Sequence, residues 1–245
     1  MSAVDTNIGE QAISKLVEEG IKAQLDQVES LSVDIKTDPM KLTQGQVDRV
    51  LIQGRGWVVR DDLRTEELVL ETGAVDIAML KIPLGEIELE HPTDATARVI
   101  LTPADVQTAF NAGYVRKKLR GQKIEISGET VTTDASNVVF TVPESGRVAI
   151  AADVMLIEKV ETHHIAFSAK PKLVDGGFGV ALEDVEYDEA QNDLPELTQA
   201  LIDSTQSLLD LRFFELEGMS LQFEQMTVEP EKITIQATAK ITSFN

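Results

Sequence analysis

The sequence predicts an α+β fold: a long, curled antiparallel β-sheet wrapped around one or two long amphipathic helices. Three observations predict it. Apolar and polar residues alternate in many short segments, the period-two pattern of half-buried strands. Short turn signals separate these segments, which makes neighbours antiparallel, with one wet face and one buried face. A long apolar stripe of helical period precedes them. A sheet with a single apolar face must bury it against another layer, and the helices are the available filling.

The elements follow in order. Ile13, Leu16, Val17, Ile21, Leu25 and Val28 recur at i, i+3, i+4, i+7 spacing and predict a helix over Ile8–Val28, with Asn7 as N-cap and Glu10 completing the reciprocal pattern. Leu31-x-Val33-x-Ile35, then Leu68-x-Leu70-x-Thr72, Ile87-x-Leu89 and Ala95-x-Ala97-x-Val99-x-Leu101 read as strands. Thr102 and Pro103 are the cap and first residue of a helix that buries Val106, Ala109 and Phe110 and continues to Gly113 and the basic stretch beyond. Ser127-Gly128, Pro143-Glu144-Ser145-Gly146 and Asp175-Gly176-Gly177 are turns. They bound strands carrying Val148 to Leu156, Ile165-x-Phe167-x-Ala169 and Phe178-x-Val180-x-Leu182. Asp193-Leu194-Pro195-Glu196 opens another helix, with Leu197, Leu201, Thr205 and Leu208 on its face. Ile233, Ile235, Ala237, Ala239 and Ile241 form the clearest strand. No linker, low-complexity tract or repeat interrupts the pattern, so residues 1–245 are expected to form one domain.

Composition narrows the function classes. Aromatic residues make up only 4% of the chain, so Val, Ile, Leu and Ala must fill the core. Forty-two acidic residues against 22 Lys and Arg give a formal charge of −20, which repels nucleic acid and anionic membrane surfaces at long range. Cys is absent, which excludes disulfides, thiolate nucleophiles and zinc–thiolate sites. Met1–Asp5 shows neither a basic nor an apolar leader region, and no apolar run reaches the ~18 residues of a spanning helix, so a cytoplasmic protein is expected.

The stretch Ile8–Gly54 carries a more specific signal. The long helix is followed by Leu31-x-Val33-x-Ile35, Pro39, Leu42, Gly45-x-Val47 and Val50-x-Ile52-x-Gly54. Further on come Ile87-Glu88-Leu89, Pro92-Thr93-Asp94-Ala95 and Leu101-Thr102. Together these resemble the bacterial LmeA-like phospholipid-binding family, in the form typical of cyanobacteria, over most of the chain. The resemblance rests on hydrophobic pattern and glycine placement. It implies a fold similar to tubular lipid-binding domains, a curled sheet around a long helix with an internal apolar channel, and the binding or carriage of a phospholipid or similar amphiphile. The family's namesake is an exported protein, whereas no export signal is seen here, which leaves the compartment open.

The candidate chemistry is sparse. Arg116, Lys117, Lys118, Arg120 and Lys123 place five of the 22 basic residues in one short stretch. They read either as a helix C-terminus whose cations complement the dipole or as a lipid-headgroup or membrane-docking patch. His163 and His164 are adjacent on a strand and point to opposite faces, so they cannot share a metal, and His91 has no supporting ligand pattern. The paired carboxylates Asp61-Asp62, Glu66-Glu67 and Glu183-Asp184 read as solvated strand edges. Neither G-x-S-x-G nor G-x-x-x-x-G-K-[ST] occurs, and Gly176-Gly177-Phe178-Gly179 reads as a hairpin turn. Gly54-Arg55-Gly56-Trp57 reads as a bulge or tight bend carrying the sole Trp.

No metal, cofactor or catalytic residue is therefore expected. The expected partner is a phospholipid or another apolar ligand, with transient membrane contact and no nucleic acid. Leu16, Ile165, Phe167 and Phe178 are the candidate lining of an apolar cavity. The alternative is an acidic scaffold with a solid core, because the same residues can fill a roll as well as line a hollow one.

Overall fold

A computed structural model describes residues 3–59, 63–78, 89–187, 195–209 and 219–242. The expected Ile87-Glu88 and Asp193-Leu194 features and Asp61-Asp62 lie outside the described residues, although Leu89 is buried. Helix α1 (Ala3–Gln24) leads into β1 (Ser30–Lys36), α2 (Pro39–Leu42), β2 (Gln46–Val47), β3 (Arg49–Val59), β4 (Leu63–Thr72) and β5 (Val75–Asp76). Then follow β6 (Thr93–Leu101), α3 (Pro103–Asn111), α4 (Gly113–Leu119), β7 (Gln122–Ile126), β8 (Glu129–Glu144), β9 (Arg147–Leu156) and β10 (Glu161–Val174). Last come β11 (Gly179–Glu186), α5 (Pro195–Leu208), β12 (Met219–Glu229) and β13 (Lys232–Ile241).

The fold is α+β, and its antiparallel sheet is strongly curled into a half-barrel. Six strands run in the order β1-β3-β4-β6-β13-β12, and five in the order β11-β10-β9-β8-β7. Strand β12 joins the two. Gly146, in the β8–β9 turn, donates its amide to the Val228 carbonyl (2.9 Å), and Gln222 Nε2 donates to the Gly176 carbonyl in the β10–β11 turn (2.6 Å). Gly177 allows that second contact. Its φ is +92°, and a Cβ there would collide with the Phe223 carbonyl oxygen.

The turns carry the expected chemistry. Ser127 and Gly128 both have positive φ in the two-residue β7–β8 hairpin, where the twist of the strands demands it. Ser145-Gly146 and Asp175–Gly177 likewise close hairpins. In β3 the Gly54–Trp57 stretch keeps its register against β4, so it forms no bulge, while Gly56 turns to a φ of +59°, in keeping with the tight bend that was the other expectation. Gly54 is needed for a different reason: the Trp57 indole lies where its Cβ would be.

Two apolar clusters result. One, between the five-stranded sheet, α3, α5 and β12–β13, holds Phe110, Ile165, Phe167, Leu197, Leu201 and Ile235 among others. The other lies under β1, β3 and β4, and α1 covers it with Ile13, Val17 and Ile21.

Two helices differ from expectation. The α1 helix begins at Ala3, so Asn7 lies inside it, and the Glu10 carboxylate accepts the Thr37 amide (2.9 Å) instead of closing a capping box. It ends at Gln24 rather than Val28 because the Asp26 amide is captured by the Val58 carbonyl (2.9 Å) at the end of β3. The helix from Pro103 starts as expected, with Thr102 and Asp105 forming a capping box. It breaks at Ala112, whose backbone is extended, into α3 and α4. The break follows a tertiary bond: the Asn111 amide side chain donates to the Val138 carbonyl (2.7 Å) and accepts the Val138 amide (3.0 Å), which pins the end of α3 to β8.

Candidate functional site

The residues that alternate inward along the two sheets do not all meet. Between them lies an apolar cavity of about 560 Å3. Leu101, Met226, Ile233 and Ile235 come from the six-stranded side, and Phe140, Val148, Ile150, Val180 and Leu182 from the five-stranded side. Helix α3 contributes Val106, Ala109 and Phe110, and α5 contributes Thr205 and Leu208. The volume falls within the ~300–1,000 Å3 range of ligand pockets. At roughly 30 Å3 per water-sized group it has room for one long acyl chain.

One ion pair interrupts the apolar lining. Arg64, on β4, donates from Nη1 to Asp105 (2.8 Å) and Glu66 (2.9 Å) and from Nη2 to Glu29 (3.0 Å). Asp105 is buried, and its other oxygen accepts the Thr102 amide (2.8 Å) and hydroxyl (2.7 Å). The hydrogen bonds it donates to Asp105, then to Glu29 and Glu66, push the guanidinium further above its ordinary value. A permanently charged group thus sits on the wall of an otherwise oily space, held by carboxylates.

The expected lining residues separate. Phe178 lines the cavity, from the turn before β11. Ile165 and Phe167 are buried in the packed cluster beside it, and Leu16 is half-buried on α1. Sequence reasoning missed Arg64, Asp105 and the β12–β13 wall. The capping pattern Thr102-x-x-Asp105 was readable, but its union with a cation 41 positions away was not.

The basic stretch straddles a helix end. Arg116 and Lys117 are exposed on α4, while Arg120 caps it and reaches Asp134 (3.2 Å). Lys123 is exposed on β7, and the side chain of Lys118 lies outside the described residues. A wider groove of about 790 Å3 runs between β7 and α5, but Lys123, Glu125, Glu196 and Asp203 line it, which unsuits it to an acyl chain.

Among the described residues no three His, Asp or Glu side chains gather as metal ligands, and no helix is long and apolar enough to cross a membrane. His164 Nδ1 meets Asp153 (2.9 Å), while His163 Nε2 lies 3.5 Å from Glu161. No curated protein and no solved structure matches the chain significantly. The model of one family does match, over residues 4–238, and the chain belongs to that family, the LmeA-like phospholipid-binding family.

Proposed function

We propose that this protein binds or carries a phospholipid or similar amphiphile without catalysing a reaction, its acyl portion lying in the cavity between the two sheets. The observation that carries the reading is the cavity itself: about 560 Å3, walled by aliphatic and aromatic side chains. Each methylene buried there contributes about 0.8 kcal/mol, so an acyl chain needs no polar anchor to be held. The polar end of the ligand lies toward Arg64 and Asp105, the only charged residues on the lining among the described residues. Family membership supports the ligand class. The cavity also favours this reading over an acidic scaffold with a solid core. A cytoplasmic location belongs to the same proposal, and cell fractionation tests it.

The test is mass spectrometry of solvent extracts from the natively purified protein, alongside titration with a fluorescent acyl probe. Stoichiometric enrichment of one lipid class is expected. Ala109→Trp, which fills the space beneath α3, is expected to weaken probe binding at least tenfold, while Leu16→Ala on α1 leaves it unchanged. A chain that carries no lipid and binds no probe sinks the proposal.

A further inference from the structure

The hairpin between β9 and β10 is built unlike the other turns. Its four-residue loop, Ile157-Glu158-Lys159-Val160, ends on a valine with φ of +55°. Left-handed backbone at a loop end ordinarily falls to Gly or Asn, because a β-branched side chain clashes there. Val160 is also 77% exposed, so packing does not hold it in place. Ile157 (41%) and Met155 (37%) extend the apolar surface beside it. Strain retained at an exposed apolar tip points to a use for that side chain.

The tip does not stand alone. The Ile157 amide donates to the Thr132 carbonyl (2.9 Å), and the Glu158 carboxylate accepts the Thr132 amide (2.7 Å) and hydroxyl (2.6 Å). The loop is thereby tied to β8. Thr132 stands opposite Lys123 on β7, and Asp134 stands opposite Met155 while pairing with Arg120. The expected docking cations and the apolar tip thus share one corner of the five-stranded sheet. Lys123 is close enough to Glu158 to act on its carboxyl, which the Thr132 hydrogen bonds already hold down.

Several acids at this corner are paired or hydrogen-bonded. Asp134 holds Arg120, Glu129 meets Lys159 (3.4 Å), Glu161 faces His163, and Glu158 is taken up by Thr132. Glu125 is exposed on β7 and, with Glu196 and Asp203 of α5, lines the groove beside Lys123. Among the described residues Arg116, Lys117 and Lys123 form no ion pair. The net field of a chain of charge −20 opposes an anionic surface, so the attraction comes from these groups locally.

We propose that the β9–β10 tip, flanked by Arg116, Lys117, Arg120 and Lys123, docks on an anionic lipid bilayer, with Val160 and Ile157 entering the headgroup–acyl boundary. The cations supply attraction of about fivefold in affinity each, and the apolar tip anchors the contact. This docking does not depend on the cavity holding a lipid.

Flotation of the full chain with vesicles of phosphatidylcholine and phosphatidylglycerol, against phosphatidylcholine alone, tests it. The wild type is expected to float with the anionic vesicles and to be released by about 0.5 M salt. Val160→Asn suits left-handed backbone, so its unfolding midpoint is expected to hold or rise while vesicle binding falls about tenfold. Combined Arg116→Glu and Lys123→Glu is expected to remove the salt-sensitive part. Lipid extracted from the cavity should be the same in all three proteins, which separates failure of docking from failure of the cavity reading. The proposal is overturned if the wild type ignores anionic vesicles, as it would if the tip served a protein partner. Variants that bind like the wild type, or equal binding to both vesicle types, overturn it as well.

Discussion

Arg64 and Asp105 are one unit in which each residue makes the other tolerable. A buried carboxylate costs several kcal/mol unless it is paired and hydrogen-bonded, and Asp105 has a guanidinium on one oxygen and the Thr102 cap on the other. Arg64 remains 29% exposed, so the loss on breaking the pair is moderated by water. Arg64→Leu is therefore expected to cost about 2 kcal/mol in denaturant unfolding, with the acyl probe still bound. If the polar end of the ligand rests at this pole, the same variant retains a different mix of headgroups on extraction. An unchanged mix would remove Arg64 from headgroup selection. Neither residue was legible as a site, because a lone Arg between Leu63 and Thr65 and an Asp in a helix's first turn look like ordinary surface residues.

At the scale of elements, local pattern held where local forces dominate. The start of α3 was readable because Thr102, Pro103 and Asp105 satisfy the first helical amides among themselves. Thr102→Ala is expected to cost about 1 kcal/mol and to loosen the helix that carries Val106, Ala109 and Phe110 into the cavity. A midpoint unchanged from the wild type would show that tertiary contacts alone hold α3. The inward face of β9 was readable too, with Val148, Ile150, Ala152, Val154 and Leu156 all buried. Boundaries set by remote partners were not. The end of α1 is decided by Val58 and the break after α3 by Val138, each a main-chain group from a distant strand.

For the whole molecule, charge and acid response follow from the same residues. Among the described residues three carboxyls are held below their ordinary range: Asp153 by Asn137 and His164, Glu158 by Thr132, and Asp184 chiefly by Lys170. A carboxyl held lower in the folded than in the unfolded chain stabilises the fold while ionised. That contribution is complete above the unfolded value and is lost as pH falls through the folded one. Denaturant midpoints are therefore expected to hold near neutrality and to decline below about pH 4, where these carboxyls protonate. A midpoint still rising below that point would mean that relief of repulsion among the surplus acids outweighs the lost hydrogen bonds. By itself the sequence determined the class of fold, most strands and their buried faces, the hairpin turns, and the absence of thiol chemistry. These depend on periodicity, turn geometry and composition, which are local properties. Only the tertiary structure showed the apolar cavity between the curled layers, that Phe178 lines it, and that Arg64 meets Asp105. It also set a strained valine beside the basic stretch. Each of these depends on how far apart two sheets stand or which distant residues they bring together, and neither is encoded in the spacing of residues along one strand.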